Sequence, residues 1–171
     1  FLILYGITFQ VIAQKGNGDP ELINAVKAGE INTIKELIDK GSAVNAADSN
    51  GATALLWAAG IGNSEMVKYF VSKGASLNIN GVIYTNTERT SYYGNLTGIA
   101  AGEGHLNVLK YLIDSCKISV DDKEYDPESK QKSGWTALQW AASAGKNDVV
   151  EYLLGKGADI NANHTSDKGT P

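Results

Sequence analysis

Along the chain, apolar residues recur as doubled pairs four positions apart. Met66, Val67, Phe70 and Val71 form one set, Val108, Leu109, Leu112 and Ile113 a second, and Val149, Val150, Leu153 and Leu154 a third. At 3.6 residues per turn, this spacing lays a single apolar stripe along a helix and leaves its other faces polar. Ahead of each set stands an alanine pair, Ala58-Ala59, Ala100-Ala101 or Ala141-Ala142, whose small side chains let a neighbouring helix approach closely. The pattern predicts short helices in pairs. Gly29, Gly62, Gly104 and Gly145 end the first helix of each pair. Gly41, Gly74 and Gly157 follow the second, where a left-handed cap is expected, and Cys116 stands at that place in the third pair. Asp19-Pro20 reads as an N-cap followed by the first helical position.

The glycines give the period. Gly29 to Gly62 is 33 residues, Gly62 to Gly104 is 42 and Gly104 to Gly145 is 41. A 33-residue unit therefore carries extra segments in its second and third junctions. Thr136-Ala137-Leu138-Gln139-Trp140-Ala141-Ala142 resembles the Thr-Pro-Leu-His-x-Ala-Ala signature of the ankyrin repeat, and Val149-Val150 through Gly157-Ala158-Asp159-Ile160-Asn161 resembles its second half. Ala54 and Ala137 replace the proline, Leu56 and Gln139 replace the histidine, and the third unit, opening Asn95-Leu96-Thr97-Gly98, fits poorly at its start. The resemblance covers residues 19–163, with repeats at about 19–50, 51–81, 94–121 and 134–163 and inserts at about 82–93 and 122–133. It implies an all-α solenoid of stacked helix pairs joined by β-turns or hairpins, without a packed β-sheet. No unit can bury its stripe alone, so neighbours must stack.

The resemblance also implies a binding role, carried by turn tips and first-helix ends on a concave side. At matching positions stand Lys27, Asn50, Ile61, Glu103, Trp135 and Ser143. For Trp135 a partner contact and packing on the next turn are equally open, while Trp57 and Trp140 match an inward-facing position and belong to the core. The first insert has β-branched and aromatic flanks, with Tyr84, Tyr92 and Tyr93 around a polar tip that includes Arg89. An extended hairpin is expected there, its tyrosines either contacting a partner or folding back on the repeats. The second insert is polar and mixed in sign and reads as a solvated loop. Its alternating Asp122, Glu124, Asp126 and Glu128 suggest calcium, but Pro127 and Ser133 stand where a calcium loop needs glycine and glutamate.

Composition narrows the function. The chain is 43% hydrophobic and 20% charged with a net charge of −4, a globular balance. No Lys/Arg run marks a nucleic-acid surface. One cysteine forms neither an internal disulfide nor a cysteine-rich zinc site. His105 matches the Gly-His pair that ankyrin repeats use structurally, and His164 has no evident partner. No nucleophile-elbow, zinc-protease or P-loop pattern occurs, so an enzyme, a cofactor and a metal are not expected. The uncharged start, Phe1 to Ala13, resembles the apolar core and cleavage site of a secretory leader, with 14–18 as linker; an N-terminal strand is the other reading. It is too short for a stable membrane span. Residues 164–171 resemble the opening of a further repeat, and Asn95 and Asn163 head glycosylation sequons. The expectation is a secreted or periplasmic protein-binding module, monomeric apart from association through its C-terminal end. The alternatives are a non-catalytic repeat region of a longer enzyme or toxin-like protein, and a structural spacer.

Overall fold

The computed structural model describes residues 19–84, 91–126 and 131–162. The apolar start, the linker, Arg89, Pro127, Glu128, Asn163, His164 and the tail to Pro171 lie outside the described residues.

Four helix pairs follow one another: α1 (Pro20–Ala28) and α2 (Ile31–Asp39), α3 (Ala54–Ile61) and α4 (Ser64–Ser72), α5 (Leu96–Glu103) and α6 (Leu106–Lys110), α7 (Ala137–Ser143) and α8 (Asn147–Gly155). Each first helix starts on a side-chain cap. Asp19 Oδ1 accepts from the Leu22 amide at 3.1 Å, Thr53 Oγ1 from Leu56 at 3.3 Å, and Asn95 Oδ1 from Gly98 at 2.8 Å. At α7, Thr136 Oγ1 accepts from Gln139 while the Gln139 side chain accepts from the Thr136 amide at 2.8 Å, a closed capping box. The ill-fitting start of the third unit is thereby explained: Asn95 fills the cap that threonine fills in the second and fourth units. Gly98 fits there because a Cβ would lie 3.0 Å from Trp140 Cδ1 of the next unit.

The first helices lie side by side in the order α1, α3, α5, α7, with the second helices packed behind them. The apolar stripes meet between the layers. Met66, Val67, Phe70, Val108, Leu109, Leu112, Val149 and Leu153 are all without exposure. Each such side chain contributes roughly 1.5–3 kcal/mol by leaving water, which is why the short helices hold as a stack and not singly.

The third unit departs from its neighbours. After α6 the chain makes a π-helical turn over Tyr111–Ser115, with the Cys116 amide donating to the Tyr111 carbonyl at 3.1 Å. That turn absorbs one extra residue. The second unit closes with Ala75 N to Phe70 O at 3.0 Å, whereas the third closes one residue later, with Ile118 N to Leu112 O at 3.1 Å. The left-handed residue is accordingly Lys117, at φ 61°, and not Cys116. The equal-length alignment of the sequence misplaces the cap because it allows no bulge in the helix.

Both inserts form antiparallel hairpins. In the first, β1 (Asn80–Tyr84) pairs with β2 (Ser91–Asn95) in the register Val82↔Tyr93, Ile83↔Tyr92 and Tyr84↔Ser91. Its base is anchored. Ile83 has no exposure, and Gly81 lies so close to the Gly51–Ala52 backbone that a Cβ would meet it at 2.8–2.9 Å. In the second, β3 (Lys123–Asp126) pairs with β4 (Gln131–Thr136), with an irregularity between Lys123 and Tyr125. The expected solvated loop is therefore corrected to a hairpin. Its strands have weak local preference for extension, and tertiary ties at the base decide the matter: β4 runs into the Thr136 cap, and Asn95 Nδ2 donates to Asp122 Oδ2 at 3.0 Å just before β3.

Candidate partner-binding site

The ends of the first helices come together as one row. Ala28, Ile61, Glu103 and Ala144 each precede a glycine with φ between 66° and 83°, so they occupy equivalent places in adjacent units. Ile61 is 42% exposed, and Lys27, Ala28, Ser143 and Ala144 are exposed as well. Glu103 is half-buried, and its Oε1 is shielded from solvent without a hydrogen-bond partner among the described residues. A shielded acceptor left unpaired costs about 1–3 kcal/mol.

Beside this row, Lys27 Nζ stands 3.9 Å from the centroid of the Trp57 ring, and the Trp57 indole N–H donates to Asp48 Oδ2 at 3.0 Å. Asp48 is the organiser that the sequence reading passed over. Its Oδ1 accepts from the Asn50 and Ala52 amides at 2.9 and 3.0 Å, closing the turn that presents Asn50 to solvent. The signal for it was available in Asp48-Ser49-Asn50-Gly51, an aspartate hydrogen-bonding to the turn it begins. That turn abuts the base of the first hairpin, and Ile83 closes over Gly60 next to Ile61. Of the hairpin residues singled out in the sequence, Tyr84, Tyr92 and Tyr93 lie in its strands at the register positions given above, and Arg89 falls outside the described residues. Trp135 lies apart, in the second hairpin. It is half-buried, with its ring centroid 4.8 Å from that of Trp140 at an interplanar angle of 50°. Trp57 is a core residue, whereas Trp140 is only half-buried.

On the second-helix side several charges are used internally. Lys35, Lys68 and Lys110 each reach the ring of a tyrosine one unit further on, at 5.9 Å from Tyr69, 5.7 Å from Tyr111 and 5.6 Å from Tyr152. Asp39 pairs with Lys73 at 3.4 Å and Asp114 with Lys156 at 2.6 Å, again across units. Each contact is worth only about 0–1 kcal/mol at an exposed site, but they knit successive second helices together. The Lys156 ammonium holds the Asp114 carboxyl below its ordinary range, and burial, aided by Asp114, pushes the Tyr152 hydroxyl up to about 12.

His105 belongs to the same structural class. Its Nε2 lies 2.9 Å from the Gly60 carbonyl, which can only accept, so that nitrogen carries the proton, and its ring covers Gly62. Among the described residues no cluster of three or more His, Cys, Asp and Glu groups has a metal-binding arrangement. No described helix is long and apolar enough to cross a membrane. Asn95 is 5% exposed with both side-chain atoms engaged, so its sequon offers no free amide to a glycan in the folded protein.

Stacked helix pairs with an open row of first-helix ends define a helical-repeat scaffold. The family model for ankyrin repeats (3 copies) matches residues 1–81 and again 84–164, and the chain belongs to that family. Its relatives include the Palmitoyltransferase AKR1 of Eremothecium gossypii, 26% identical over 182 aligned positions covering 87% of this chain and 24% of that protein. The 26S proteasome non-ATPase regulatory subunit 10 of Dictyostelium discoideum is 28% identical over 145 positions, covering 84% of this chain and 41% of that protein. An Ankyrin repeat, SAM and basic leucine zipper domain-containing protein 1 from Dasypus novemcinctus is 26% identical over 135 positions, covering 79% and 26%. The chain thus spans from 24% to 41% of the length of these relatives.

Proposed function

We propose that this chain is a non-catalytic protein-binding module that receives a macromolecular partner on the row of first-helix ends and the adjoining turn and hairpin. The observation that carries this reading is the contrast between the two sides. Lysines and aspartates of the second helices pair across units, while Lys27 and Ile61 are exposed beside a half-buried Glu103 whose Oε1 has no hydrogen-bond partner among the described residues. Ile61→Asp tests it. Binders selected from a displayed peptide library on the native protein should lose at least tenfold in affinity for Ile61→Asp, at unchanged thermal stability. Binders indifferent to Ile61→Asp, to Lys27→Glu and to Asn50→Ala alike would remove the reading.

The limited span of the relatives favours a second possibility, that the module is the repeat region of a longer protein whose other parts carry a different activity. Export to a secreted or periplasmic location is part of the proposal, supported by the uncharged apolar run ending at Val11-Ile12-Ala13. Mass spectrometry of the protein made from its natural reading frame should find an N-terminus near Gln14, and retention of residues 1–13 would exclude a cleaved leader. The module is taken as monomeric apart from association through the fourth unit, where Leu154 and Ile160 are 44% and 73% exposed.

A further inference from the structure

The row of first-helix ends carries an order of chemistry as well as a surface. Lys27 stands in the first unit, Ile61 in the second, Glu103 in the third, and the small residues Ser143 and Ala144 in the fourth. The helices bearing them are packed neighbours in that order, α1 against α3, α3 against α5, and α5 against α7. Packed helix axes lie about 8–10 Å apart, and an extended chain advances about 3.3 Å per residue. An extended peptide crossing the row therefore sets roughly every third side chain over a successive unit.

Resting on the binding reading above, we infer that this surface selects an extended peptide segment of fixed polarity: an acidic residue over Lys27, an apolar residue roughly three positions on over Ile61, and a basic residue roughly three further over Glu103. The basic position is the most demanding of the three. The Oε1 of the half-buried Glu103 has no donor among the described residues, and a side-chain rotation that turns the carboxylate outward lets a guanidinium or ammonium supply one together with the opposite charge. Lys27 stands exposed above the Trp57 ring and makes no ion pair within 4.0 Å among the described residues, so it is open to a carboxylate. Ile61 lies between the two charges, and with the smaller Ala28 and Ala144 at the two ends of the row it is the apolar high point. Like charges brought opposite one another repel, so the reversed peptide is disfavoured and the direction of the segment is set.

The test is selection from a random dodecapeptide display library on the native protein, followed by charge reversal. Enriched peptides should share the acidic, apolar, basic order at the stated spacing. Glu103→Lys should weaken a selected peptide at least tenfold, and changing that peptide's basic residue to glutamate should restore most of the loss. Lys27→Glu should behave likewise towards the acidic position. Glu103→Gln keeps the shape and removes the charge, and should lose several-fold; melting curves of each variant exclude a folding defect. Peptides that depend on Ile61 but share no basic position, or bind Glu103→Lys as well as the native protein, would overturn this inference and leave the binding reading standing. Selection yielding no Ile61-dependent peptide would overturn both.

Discussion

Gly62 shows how one residue joins two units. Its backbone holds φ 81°, and a Cβ added there would run into the His105 ring of the next unit. Gly29 occupies the equivalent place at φ 78° with nothing within 4 Å of an added Cβ. Gly29→Ala should therefore cost only the left-handed strain, about 1–2 kcal/mol. Gly62→Ala should cost roughly 1–3 kcal/mol more, because the imidazole must leave the Gly60 carbonyl. Urea denaturation of the two variants measures the difference, and repeating both in a His105→Ala background should erase it. A second residue-scale consequence concerns pH. An unperturbed tyrosine loses its proton near 10, whereas folding holds the Tyr152 proton to about 12. The raised value means that the stabilisation is complete below pH 10 and disappears as the pH rises towards about 12. Absorbance titration should show one tyrosinate forming late in the native protein and absent from Tyr152→Phe. The stability of the native protein should fall more steeply than that of the variant across this window.

At the scale of the element, the third unit is where local rules bend. Its second helix carries an additional residue as a π-turn and ends on Lys117 in a conformation that suits glycine. A lysine there bears the steric cost of a left-handed backbone, so Lys117→Gly should raise stability, by about 1 kcal/mol. The comparison is a shift in the urea midpoint with an unchanged slope; a lower midpoint would mean that the lysine side chain contributes more than its strain costs. The same unit shows what was legible. Helix positions and the stripe could be read because 3.6-residue periodicity is a local property. The π-turn could not, since a single added residue in an apolar helix leaves the stripe recognisable and is placed only by where Leu112 and Ile118 must pack. The first hairpin was legible from its β-branched and aromatic flanks. The second was not, because its base is tied by Asn95 and Thr136, the residues that cap α5 and α7.

At the scale of the molecule, stability lies in the junctions between units. Leu153 is fully buried in the cluster that joins the third and fourth units through Leu109, Leu138 and Val149. Leu153→Asp would place an unpaired charge there, at a cost above roughly 3 kcal/mol, and should abolish cooperative melting of the fourth unit. A melting temperature equal to that of the native protein would mean that the face is not buried.

The sequence by itself determined the class of fold, the number of helix pairs, the cap at Asp19, the left-handed glycines after three of the second helices and the residues at the first-helix ends. Each of these rests on a local pattern, and repetition makes the helix pair readable four times over. Only the tertiary structure decided which charges and rings meet across the junctions between units. Lysines of the second helices find tyrosine rings one unit away, and Asp39 and Asp114 find lysines one unit away, so much of the charge on that face is engaged between units. Lys27, Ile61 and Glu103 are separated by tens of residues and become neighbours only when α1, α3 and α5 stack. Spacing along the chain carries no record that Glu103 Oε1 finds no donor among the described residues, because that depends on everything packed around it.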